Sequence, residues 1–96
     1  MSATTLHIVF SADRGTLSAC LAVVQSGDSM LLADRGVIAL CEPGTGFPGG
    51  VRLFALAADL AAHVAEQTTS THDFEPIEDD EWPVLLTAHE RVLSWP

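Results

Sequence analysis

The feature that most constrains this chain is its alternation of short, apolar, β-branched runs with segments that repeat at helical spacing. Leu6-His7-Ile8-Val9-Phe10 predicts a first strand. Ser11-Ala12-Asp13 then supplies cap candidates for a helix over about residues 15–25. On it Leu17, Cys20, Leu21 and Val24 form one apolar stripe. Ser26-Gly27-Asp28 reads as a helix stop and a turn. Residues 29–33 are apolar as a strand covered on both faces would be. Asp34-Arg35-Gly36 is a turn, and residues 37–40 have room for one or two helical turns. Residues 42–50 are loop by composition, and residues 51–56 predict a third strand. An alanine-rich helix follows over 57–67, with Leu60 and Val64 on its buried side, then a polar loop over 68–72. Residues 74–77 form a short strand, placed at an edge because Pro76 cannot donate to a ladder. A last helix over about 81–89 is capped by Asp79 or Asp80, with Pro83 in its first turn. Residues 92–95 close the pattern as a strand.

The order β-α-β-turn-β-α-β-α-β predicts one α/β domain over residues 1–96, a mostly parallel sheet flanked by helices. Apolar residues make up 48% of the 96, too many for a disordered chain. They exceed what so small a domain covers, which points to a buried subunit interface. No apolar run reaches the roughly eighteen residues of a membrane span. No basic region precedes the first apolar run, so a signal peptide is not expected and the cytosol is the expected compartment.

Charge excludes one class of function. Four Arg and no Lys face thirteen Asp and Glu, a net charge of −9. Phosphate backbones are held by Lys and Arg that release counterions, so direct capture of nucleic acid is not expected. No cofactor signature stands out. Residues 43–50 are glycine-rich but lack the Gly-x-Gly-x-x-Gly and Gly-Lys-Ser/Thr spacings, and they lead into a strand rather than a helix N-terminus. The acidic run Glu78-Asp79-Asp80-Glu81 fits the positive end of a helix better than a calcium loop. His7, His63, His72 and His89 share no zinc spacing, and no serine or cysteine is tied to one by a local signature. No metal is expected.

Cys20 and Cys41 are the two cysteines, expected as free thiols in a reducing compartment. Cys20 carries two readings. It lies on the helix stripe, where a cysteine is a small buried hydrophobe. It is also placed, near a helix start, where a thiolate can accept and pass on persulfide sulfur. Trp82 and Trp95 read either as core or as interface anchors.

Taken in order, several segments resemble the DsrH/TusB family of sulfur-relay subunits. They are Leu6-His7-Ile8-Val9, Ser29-Met30-Leu31-Leu32, and Asp34-Arg35-Gly36-Val37-Ile38-Ala39-Leu40. They continue through Val51-Arg52-Leu53-Phe54-Ala55-Leu56 with Asp59-Leu60-Ala61-Ala62. The most specific is the ending, Asp80 followed by His89-x-Arg91-Val92-x-Ser94-Trp95. The resemblance implies a DsrE-like (flavodoxin-like) parallel fold. It also implies a cytoplasmic heterohexamer with DsrE/TusD-like and DsrF/TusC-like subunits, and exchange with upstream and downstream sulfur-carrier proteins. Sulfur relayed there serves tRNA wobble-uridine 2-thiolation or dissimilatory sulfur oxidation. The principal persulfide cysteine belongs to the DsrE/TusD-type subunit. Some DsrH members carry a first-helix cysteine, and Cys20 falls at that place as the one candidate catalytic residue. Trp82, His89 and Trp95 are the interface candidates. Glu81, Trp82 and Pro83 depart from the family's usual Gly, Phe and aliphatic residue. The alternative is a standalone redox or regulatory protein-binding module of the same fold.

Overall fold

The computed structural model describes residues 4–41, 46–64 and 73–96. Strands β1 (Thr5–Val9), β2 (Ser29–Leu32), β3 (Arg52–Leu56), β4 (Glu75–Ile77) and β5 (Arg91–Trp95) alternate with helices α1 (Arg14–Val23), α2 (Ala57–His63) and α3 (Trp82–Thr87). Residues Asp34–Cys41 form a 3₁₀ helix between β2 and β3. All four strand pairings are parallel, in the order β4-β3-β2-β1-β5. The chain is therefore an α/β protein with an all-parallel sheet flanked by helices, consistent with a flavodoxin-like layering. Its strand order differs from the flavodoxin order 2-1-3-4-5, because β1, β2, β3 and β4 here follow one another without reversal.

That order decides which face each helix covers. Crossovers between parallel strands are right-handed, so steps in one direction along the sheet place their helices on one face. α1, the 3₁₀ helix and α2 accordingly share a face, over Val9, Met30, Leu32, Leu53 and Ala55. The step from β4 to β5 runs back across the whole sheet, and α3 lands on the opposite face. There Trp82, Leu85 and Leu86 pack against Leu6, Ile8, Leu31, Phe54 and Ile77. β1 and β2, central and covered on both sides, are buried at every residue. Each fully buried aliphatic side chain there contributes about 1.5–3 kcal/mol.

Local chemistry sets the joints. Asp13 caps α1, its Oδ2 accepting the Thr16 N–H at 2.9 Å. Gly27, at φ +95°, turns the chain into β2 in a conformation that only glycine adopts freely. Gly36 is required for a different reason: a Cβ there would penetrate the carbonyl oxygen of Val9, so the 3₁₀ helix can lie directly on the end of β1. Asp34 is held at φ 51°, and its N–H donates to Asp59 Oδ2 at 2.6 Å. Aspartate tolerates that region better than most residues.

Three expectations need correction. The last helix is shorter than residues 81–89: it ends at Thr87, where the Ala88 N–H is shared between the carbonyls of Val84 and Leu85. Neither Asp79 nor Asp80 caps it. The N-cap is Glu81, whose side chain makes no cap bond to the helix and instead accepts the N–H of Glu78 at 3.2 Å. α2 ends at His63 rather than Gln67. Residues 65–67, the 68–72 loop with His72, and residues 42–45 of the glycine-rich loop lie outside the described residues.

Candidate functional site

Cys20 is fully buried in the cluster between α1 and the sheet. It is the seventh residue of α1, past the first turn where the helix dipole acts. Burial pushes its thiol up to about 11. A persulfide carrier needs a thiolate and access for a second protein's sulfur. In this fold the residue has neither, and it packs as the apolar-stripe reading expects. Cys41, half-buried at the end of the 3₁₀ helix, is also a free thiol.

The buried polar groups of the sheet converge elsewhere. His7, 2% exposed on β1, places Nε2 at 3.1 Å from Asp28 Oδ2, and its Nδ1 accepts the Trp95 indole N–H at 3.3 Å. Indole can only donate, so the proton sits on Nε2 and points at the carboxylate. Asp28 also accepts the Thr5 N–H at 3.1 Å and the Gln25 N–H at 3.0 Å. Burial raises the Asp28 carboxyl, but the bond from Gln25, the His7 ring and the bond from Thr5 outweigh it. The balance lies below the ordinary carboxylate value. This array ties the end of α1, β1 and β5 together. Both ring nitrogens of His7 are engaged, and among the described residues no hydroxyl or thiol is bonded to it, so the array serves as an anchor.

In the sequence Asp28 stands out only as a turn residue after Gly27; the structure makes it the partner of His7. The available signal was His7 itself: an imidazole in an otherwise apolar strand must find a buried partner. An aspartate beside the glycine that opens the next strand is well placed to be one.

The interface candidates divide. His89 bonds inward with both nitrogens, Nδ1 to the Leu85 carbonyl at 2.7 Å and Nε2 to Ser29 Oγ at 2.9 Å. It closes the end of α3 onto β2. Trp95 spends its N–H on His7 and packs with the α1-side cluster. Trp82 is different: with Ile8, Phe10, Leu31, Ala33 and Leu56 it lines an apolar hollow of about 130 Å³. The hollow opens at the carboxyl ends of β1, β2 and β3, where open parallel sheets bind their ligands.

Size and lining decide what the hollow can take. It falls below the ~300 Å³ of ordinary small-molecule sites and offers hardly any polar surface, so one apolar side chain from another protein fits it better than a cofactor. Phe10 is 40% exposed at its rim. On the other flank of α3, Val84 is 66% exposed beside a second hollow of about 210 Å³, lined by Phe54, Ile77, Glu81 and Leu85 among others. A six-residue helix covers the face of a five-stranded sheet incompletely; the uncovered remainder is apolar at the Trp82 hollow and mixed at the second, where Arg52, Glu75 and Glu81 join the lining. Among the described residues no group of three His, Cys, Asp or Glu side chains is arranged to hold a metal, and no helix is long and apolar enough to cross a membrane.

Neither the protein-family models nor the curated proteins compared with the chain give a match.

Proposed function

We propose that this chain is an assembling subunit of a cytosolic sulfur-relay complex, akin to DsrH/TusB subunits. It would dock against two related chains of the DsrE/TusD and DsrF/TusC types and leave the persulfide chemistry to them. The observation that carries the assembly reading is the apolar surface left uncovered around α3, with Phe10 and Trp82 at the hollow and Val84 beyond it. Surface of that kind marks a contact with another protein. What supports the sulfur-relay assignment is the ordered resemblance along the chain, from Leu6-His7-Ile8-Val9 to His89-x-Arg91-Val92-x-Ser94-Trp95. The burial of Cys20 and its raised thiol support a non-catalytic part in that relay. The sulfur would be bound for tRNA wobble-uridine 2-thiolation or for dissimilatory sulfur oxidation.

Co-expression with DsrE- and DsrF-type chains tests the reading. The tagged chain is expected to bring both down, and Val84→Glu to weaken capture at an unchanged melting temperature, since Val84 is mostly solvent-facing. A chain that remains alone with both partners present would refute it. Cys20 has a separate readout. After incubation with a cysteine desulfurase and cysteine, mass spectrometry should find no added sulfur on Cys20. A one-sulfur gain that disappears in Cys20→Ser would return the chain to the catalytic path.

A further inference from the structure

The two edges of the sheet differ. β4 is three residues long with Pro76 at its centre, two features that discourage strand addition. β5 is five residues long, with no proline and no acid within it. It exposes apolar side chains on both faces: Val92 at 40% and Leu93 at 44%. Among the described residues β1 is its one strand neighbour.

The bonding direction of β5 can be assigned residue by residue. The Arg91 N–H donates to the Thr4 carbonyl at 3.1 Å, and the Phe10 N–H to the Trp95 carbonyl at 3.0 Å. Residues of a strand turn their backbone groups alternately to its two sides. Arg91, Leu93 and Trp95 therefore bond towards β1, and Val92 and Ser94 hold their N–H and C=O groups outward.

We infer that the outer edge of β5 is an interface for a second copy of this chain, whose β5 adds antiparallel about a two-fold axis at Leu93. A two-fold axis makes identical strands antiparallel and the contact self-complementary. With the axis at Leu93, Val92 of each copy faces Ser94 of the other as a hydrogen-bonded pair, and every outward N–H and C=O finds a partner. Leu93 meets its own counterpart in a non-hydrogen-bonded pair, where side chains approach most closely. Arg91 lies opposite Trp95 of the second copy, a cation beside an indole.

Neighbouring registers are worse. An axis at Ser94 sets Val92 against Pro96, which has no N–H. An axis at Val92 sets Ser94 against Glu90, whose N–H already donates to Thr4. Arg91 is the one charge in the strand, so no carboxylate of β5 is set against another across this edge. The inference is independent of the sulfur-relay reading.

Sedimentation equilibrium of the full chain tests it. The mass should rise with concentration from 10.2 kDa towards twice that value. Val92→Pro and Ser94→Pro each delete one outward N–H without touching a bond to β1. Both should remain monomeric, with the melting temperature of the monomer kept. In a Cys41→Ser background, Leu93→Cys should form a disulfide-linked dimer under mild oxidation, since non-hydrogen-bonded partners lie about 4.5 Å apart at Cα. Val92→Cys should not, because its counterpart is two residues out of register. A chain that stays at 10.2 kDa at every concentration overturns the inference. So does a dimer that survives both proline variants, or one in which Val92→Cys cross-links as fast as Leu93→Cys.

Discussion

Asp28 ties three segments of the fold together, because one carboxylate receives two backbone N–H groups and the His7 ring. Asp28→Ala leaves those donors buried and unpaired, and should cost about 3 kcal/mol or more by denaturant unfolding. The pH dependence has a definite sign. A carboxyl whose folded pKa is lowered contributes stability in full above its unfolded value of about 3.9. That contribution falls away as pH drops below it and is gone once the folded carboxyl is protonated. Stability measured from pH 6 downwards should therefore decline more steeply in the parent than in Asp28→Asn. Cys20 gives a second residue-scale expectation. As a buried small hydrophobe it should tolerate alanine at about 1–2 kcal/mol, while Cys20→Ser should cost about 1 kcal/mol more by burying an unsatisfied hydroxyl. At Gly36 even alanine should be worse than either, since its methyl group meets backbone rather than a movable side chain.

Among the elements, α2 has no buried residue but is tied to Asp34 through Asp59 and His63, whereas α3 is weakly held. Six residues are too few to be helical alone, and none of its residues is fully buried. It is held by Trp82, Leu85 and Leu86 against the sheet and by the His89–Ser29 bond at its end. Amide exchange should accordingly be fastest in α3 among the helices that pack on the sheet, and slowest in β1 and β2. Ser29→Ala, which frees one nitrogen of His89, should accelerate exchange in α3 more than in α1. A loosely held helix beside an uncovered apolar hollow is the element that a partner would both contact and steady. That places the expected consequence of partner binding in the α3 amides.

At the scale of the whole molecule, a net charge of −9 on 96 residues opposes any pairing of like copies. Salt screens such repulsion, the Debye length falling from about 30 Å at 0.01 M to about 8 Å at 0.15 M. Self-association through β5 should thus strengthen as salt is raised over that range. Sequence by itself determined the kind and order of the elements. Apolar strands alternate with helical stripes, and a chain of this length can bury such a pattern only as a flanked parallel sheet. Sequence likewise located the apolar stripe that holds Cys20, because helical spacing is a local property. Tertiary structure alone decided what depends on residues distant along the chain. It brought Asp28 and Trp95 to His7 across 21 and 88 residues, turned His89 inward, and put α3 on the face opposite the other helices because β5 returns beside β1. It also decided which surface stays open. Exposure at Phe10, Val84, Val92 and Leu93 is what the packing leaves uncovered, and no local pattern encodes it.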